Sequence, residues 1–146
     1  MKYLTTTFLL FFLMSSLAFS QDWQTDFEQA KTLATQENKN IILVFQGSDW
    51  CAPCIKLDRE IWSTEEFKNY AAKHFVMLQA DFPKKKKNAL PVELQNANAL
   101  LAEAYNKNGI FPLVVIMDNR GKVLGQTSYK KMSPSDYIKL LASFKA

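Results

Sequence analysis

Soft metal ligands are scarce in this chain: its 146 residues hold two cysteines and one histidine. Zinc takes four protein ligands, or three and a water. A lone His74 late in an amphipathic stretch reads as a surface or packing residue, so the residues argue against zinc. A haem attachment site needs a histidine directly after its second cysteine, and Ile55 stands there. Copper(I) on the two thiols stays open, with nothing further in its favour. No metal and no cofactor is therefore expected. Charge of one sign is not in large excess either. The formal net charge is +4, which gives no reason to invoke nucleic acid. There is no internal repeat and no linker that would split the chain, and its length is that of one domain. With 48% hydrophobic residues and 13% aromatics, it has the material for a core, which excludes disorder over most of its length.

One stretch has membrane-like character, and it lies at the start. Lys2 supplies an early positive charge, Phe8 to Met14 are apolar, and Ala18-Phe19-Ser20 is a small-residue cleavage pattern. This predicts a signal peptide over residues 1–20 and a mature domain over 21–146, periplasmic or secreted. Cleavage after Ala18 and an uncleaved anchor are the competing readings. The apolar stretch is short for a span, and Thr5-Thr6-Thr7 and Ser15-Ser16 dilute it. No cysteine stands at the cleavage point, which argues against a lipoprotein anchor. Removing Lys2 leaves 17 basic and 14 acidic residues, near +3.

What is present centres on Trp50-Cys51-Ala52-Pro53-Cys54. An apolar run, Ile41 to Phe45, precedes it and a helical pattern follows. A first sulfur at a helix N-terminus meets unpaired N–H groups and the positive end of the helix dipole, which favour the thiolate. The second sulfur lies one turn on, close enough to resolve a mixed disulfide. Pro53 suits a first helical turn. A structural bridge gains most by closing a long loop. A bridge across two residues restrains little, so it reads as a redox switch.

The remaining pattern predicts a helix over Asp22 to Gln36, with Trp23, Phe27, Ala30, Leu33 and Ala34 on one face and a capping box of Thr25 and Glu28. A core strand follows at Ile41 to Gln46, then a helix over Ala52 to Ile61. A second helical piece starts at Ser63-Thr64-Glu65-Glu66 and ends near His74. Phe75 to Asp81 is a strand. The basic loop Phe82 to Asn88 leads to a helix over Pro91 to Lys107 with Leu94, Ala97, Leu101, Ala104 and Tyr105 on its apolar face. Phe111 to Asp118 and Lys122 to Thr127 form a hairpin across Asn119-Arg120-Gly121. A last helix is capped at Ser133-Pro134. The order predicts an α/β three-layer sandwich, a mixed four-stranded sheet with helices on both faces.

These residues resemble the thioredoxin superfamily over essentially the whole mature chain. The carriers are Trp50-Cys51-Ala52-Pro53-Cys54 after a core strand and Phe111-Pro112 opening the hairpin. Trp23 with Asp26, Ala30 and Ala34, Gly47-Ser48-Asp49-Trp50-Cys51 and Asp81-Phe82-Pro83 resemble exported bacterial members. The resemblance implies a redox-active Cys51–Cys54 disulfide and a cis peptide before Pro112, beside the disulfide. It also implies backbone groups at Phe111 that pair with an extended substrate. Trp50 is expected at the rim of the site, contacting substrate. Ordinary readings of Pro112 as a turn proline and Phe111 as core stand beside these.

Two departures stand out. Thioredoxins proper carry a buried carboxylate six residues before the first cysteine, and Phe45 occupies that position. Asp49 and Asp58 are the nearest acids, and both are expected to be solvated. Lys84 to Asn96 also exceeds what a minimal thioredoxin needs. The run Lys84–Lys87 is read first as a solvated loop, with steering of acidic partners or a place near an anionic membrane surface as the sharper readings.

The expectation is an exported, monomeric thiol–disulfide oxidoreductase that reduces protein disulfides, re-reduced by a membrane thiol reductant. No histidine lies between the cysteines to favour an oxidase. The alternatives are an oxidase or isomerase, and a binding or chaperone-like module with an inert disulfide.

Overall fold

The computed structural model describes residues 21–145. The predicted signal peptide lies outside them. The elements in chain order are β1 (Trp23–Gln24), α1 (Phe27–Glu37), β2 (Asn40–Gln46), α2 (Ala52–Leu57), α3 (Glu65–His74), β3 (Phe75–Asp81), α4 (Val92–Tyr105), β4 (Leu113–Met117), β5 (Val123–Thr127) and α5 (Pro134–Ser143). The sheet order is β1-β3-β2-β4-β5. β2 runs parallel to β3 and antiparallel to β4, with Ile41 opposite Val76 and Met117.

Five consecutive residues of β2, Ile41 to Phe45, are buried because helices cover both faces of the sheet. Their alternation divides the core. Ile42 and Val44 join Leu57, Ile61, Trp62, Phe67 and Tyr137 on the face covered by α2, α3 and α5. Ile41, Leu43 and Phe45 join Ala30, Ala34 and Leu101 on the face covered by α1 and α4. Helix starts follow local chemistry. Thr64 and Ser133 accept the N–H groups of Phe67 and Asp136, and Pro134 stands in the first turn of α5.

The three-layer sandwich is the predicted one, with three differences. The sheet has five strands rather than four, because Trp23–Gln24 pair in parallel with Met77–Leu78 of β3. Helix α1 therefore begins at Phe27, and Asp26 rather than Thr25 caps it, its carboxylate accepting the Gln29 N–H at 2.9 Å. Trp23 leaves the helix face and meets Trp62 edge-on at 6.1 Å. The second difference follows α2, where Asp58–Trp62 widen into a π turn. The Ser63 N–H reaches the Asp58 carbonyl at 2.8 Å. The i to i+5 repeat brings Leu57 and Trp62 to one face, so Leu57, Ile61 and Trp62 are all buried. The third lies in α4. Of its predicted apolar face only Leu101 is buried; Leu94 and Tyr105 are half-buried, and Ala97 and Ala104 are exposed. The polar Asn98 is buried instead, donating to the Asp81 carbonyl at 2.9 Å.

Candidate active site

Strand register decides which loops meet. Gln46 ends β2 opposite Asp81, the end of β3, and Phe45 lies opposite Leu113, the start of the antiparallel β4. Residues 47–51, 82–85 and 111–112 therefore leave the sheet at one end. The ladder continues a step further, with the Phe82 N–H donating to the Gln46 carbonyl at 2.9 Å. His74 precedes Phe75, which pairs with Asn40 at the opposite end of the sheet, and its ring stacks on Tyr70. Among the described residues no group of three or more His, Cys, Asp or Glu side chains comes together as a metal site.

Cys51 and Cys54 are joined as a disulfide, with Cα atoms 5.2 Å apart. Cys51 has extended backbone and caps α2, its Sγ accepting the Cys54 N–H at 3.3 Å. Both residues are nearly closed to solvent, each 4% exposed. The sulfur of Cys51 thus sits where the first helical N–H groups point, and where a negative charge is best stabilised.

Trp50 stands on the rim at 38% exposure. Its Nε1 donates to the Phe82 carbonyl at 2.7 Å, and its ring meets Phe111 edge-on at 5.5 Å. Phe111 in turn meets Phe82 at 5.6 Å. Beneath the ring lies Gly47, where a side chain would collide with the indole. The Phe111–Pro112 peptide is cis, the geometry the resemblance implies, and the Pro112 carbonyl accepts the Ser128 hydroxyl at 2.6 Å. Pro112 is buried and Phe111 half-buried. Trp50 and Phe111 are therefore in direct contact beside the loop that carries Cys51.

Phe45 is fully buried in the core on the α1 and α4 side. Next to Cys54 lies a cavity of about 210 Å³ whose polar walls are Gln46, Ser48 and Asp58. Asp58 is exposed, as expected, and accepts the Ser63 hydroxyl at 3.2 Å.

Asp49 departs from the expectation of a solvated side chain. It is half-buried, and its carboxylate accepts the N–H groups of Lys84 and Lys85 at 2.9 and 3.0 Å and the Asn88 amide at 2.8 Å. The Lys84 N–H, followed by the Asn88 amide, holds it below the ordinary carboxylate range. Asp81 ties the loop base, accepting the Ser48 N–H and hydroxyl at 2.9 and 2.6 Å. The Asp49 latch was missed in the sequence because its partners lie 35 or more residues away.

A three-layer α/β fold that sets a closable pair of sulfurs on the first turn of a helix defines a class, the thiol–disulfide oxidoreductases of thioredoxin fold. The chain belongs to the thioredoxin-like family, whose sequence model matches residues 22–119. It is similar to disulfide bond reductase DsbH of Chlamydia pneumoniae, 35% identical over 121 residues, 83% of this chain and 70% of that protein. A solved structure of DsbH oxidoreductase is 31% identical and superposes with a TM-score of 0.78, over 97% of this chain and 92% of the other. A disulphide isomerase structure from Xylella fastidiosa Temecula1, at 24% identity, shares the fold, with a TM-score of 0.59 over 80% of this chain and 86% of the other. The chain is accordingly a thiol–disulfide oxidoreductase.

Proposed function

We propose that the mature chain, freed of residues 1–20 on export, reduces disulfides of periplasmic or secreted proteins. The direction rests on the 35% identity to a protein named a disulfide bond reductase. Ala52-Pro53 agrees with it, since neither a charge nor a histidine lies between the sulfurs to favour the reduced thiolate unduly.

The chemistry follows from the two sulfurs. In the reduced chain the Cys51 thiolate attacks one sulfur of the substrate disulfide, forming a mixed disulfide and releasing the other as a thiolate. Cys54 then gives up its proton to the released substrate thiolate and attacks Cys51 Sγ. The second substrate thiolate leaves, and the chain holds the Cys51–Cys54 bond with two electrons passed to substrate. Trp50, Phe111 and Pro112 form the surface that receives the substrate segment, with the Phe111 backbone pairing to it as an added strand would. The oxidised chain needs two electrons back, and a membrane thiol reductant is the donor we assign. The chain works as a monomer.

Insulin reduction tests this. Turnover above that of the thiol reductant alone is expected, lost in Cys51→Ser. The redox couple is expected near the thioredoxin end of the scale, about −270 mV, rather than near the strong oxidants at about −120 mV. A potential at the oxidising end overturns the direction, and full turnover in Cys51→Ser overturns the assignment of the nucleophile.

A further inference from the structure

Lys84–Lys87 carry four successive positive charges, all exposed, and none has an ion-pair partner among the described residues. A solvated loop would leave their backbone unconstrained. Here the loop is pinned to Asp49 through the backbone N–H groups of Lys84 and Lys85 and the Asn88 side-chain amide, and Lys86–Asn88 close a 3₁₀ turn. Lys84 Nζ lies 4.0 Å over the Trp50 ring. Lys84 and Lys85 are thereby tied to the two residues that precede Cys51.

Alongside them runs a groove of about 390 Å³, with Phe82, Pro83 and Leu90 among its apolar walls and Lys84, Lys85 and Lys86 on its edge. Two carboxylates lie close, Asp49 within Coulombic reach of Lys85 and Asp81 on the groove wall, but neither forms an ion pair with a lysine of the run. Asp49 is taken up by loop N–H groups and the Asn88 amide, and Asp81 by Ser48 and the Phe82 N–H. Three lysines against the one carboxylate of Asp81 leave the groove wall net positive, and such a field over an apolar wall concentrates ligands of the opposite sign.

We propose that this groove docks an acidic segment of the protein whose disulfide is reduced. Its Asp or Glu side chains lie against Lys84–Lys86, and an apolar side chain rests between Pro83 and Leu90. The inference rests on the proposed reductase reading and deepens it by naming the substrate class. Because Lys84 touches Trp50, the docked segment lies near the disulfide in the substrate's sequence. Asp49 is a positioning residue that holds the lysines in place.

The test uses binding without redox chemistry, so its failure is separable from failure of insulin turnover. Fluorescence anisotropy compares two short labelled, cysteine-free peptides on the oxidised mature chain, one with Glu flanking Leu and one with Gln in place of each Glu. The Glu peptide is expected to bind roughly tenfold or more tighter at low salt. That preference should vanish at about 1 M salt, where screening is nearly complete. It should also vanish in the triple variant Lys84→Gln, Lys85→Gln, Lys86→Gln, return with three Lys→Arg changes, and shrink in Asp49→Asn. Equal binding of the two peptides overturns the proposal, as does a preference that survives in the triple Gln variant. Binding to phosphatidylserine vesicles but to neither peptide overturns it in favour of a membrane-facing patch.

Discussion

A methyl group at Gly47 has no room. A Cβ there lies 2.2 Å from Trp50 Cε2, 2.4 Å from Nε1 and 2.6 Å from Cζ2. Gly47 is not among the positive-φ residues, so alanine adds no backbone strain and the whole effect is steric. The turn cannot simply open, since the Gly47 carbonyl accepts the Trp50 and Cys51 N–H groups at 3.3 and 2.9 Å. The indole must move, and it leaves three partners: the Phe82 carbonyl, the edge-on contact with Phe111 and the Lys84 cation. A hydrogen bond and an aromatic pair are each worth about 0.5–1.5 kcal/mol, and an exposed cation–π contact about 0.5–1 kcal/mol. A displaced rim tryptophan regains some hydration, so Gly47→Ala is expected to destabilise by about 1–3 kcal/mol. Urea unfolding of Gly47→Ala, Trp50→Ala and the double variant measures it. Without the indole the methyl meets no ring, and Gly47→Ala in the Trp50→Ala background is expected to cost below about 0.5 kcal/mol. An equal cost in both backgrounds, or no cost in either, refutes the reasoning.

Two further outcomes follow from named contacts. The Asp49 carboxyl, held down by the Lys84 N–H and then the Asn88 amide, has a folded value below its ordinary 3.8. A depressed carboxyl stabilises above its unfolded value and loses that contribution as pH falls through the folded one. The loop latch should therefore hold at neutral pH and release only below pH 3.8, and a carbon-13 titration of Asp49 with a midpoint at or above 3.8 contradicts it. Trp62 is buried and meets Trp23, Phe67 and Tyr137 edge-on. Trp62→Ala should cost about 3–5 kcal/mol in urea unfolding, and a loss under about 1 kcal/mol would show that the cluster is not the centre of that core.

Much of the fold was legible because its signals are local. Phe75–Asp81 and Glu65–His74 appear where hydrophobic period and caps place them, and Ser133-Pro134 starts α5. Trp23 was misread because its spacing to Phe27, Ala30 and Ala34 is helical. Two residues are too few to show a strand period, and the pairing with Met77–Leu78 is what makes β1. The face of α4 was misread because Asn98 is polar, and only the Asp81 carbonyl beside it explains its burial. The lysine side chains are solvated as expected, but the pinning of their backbone was not legible, as the carboxylate that orders it precedes it by 35 residues.

The sequence by itself determined the pair of sulfurs, their place on the first turn of a helix and the layered α/β order, since each depends on neighbours along the chain. Tertiary structure alone decided what surrounds that pair. Register at the end of β2 brings the 82–85 and 111–112 segments to the cysteine loop. It sets Trp50 between Gly47, Phe111 and Lys84, and turns Asp49 onto the lysine backbone. Local periodicity cannot carry such contacts, because a ring or a carboxylate takes whichever distant partner the strand register presents.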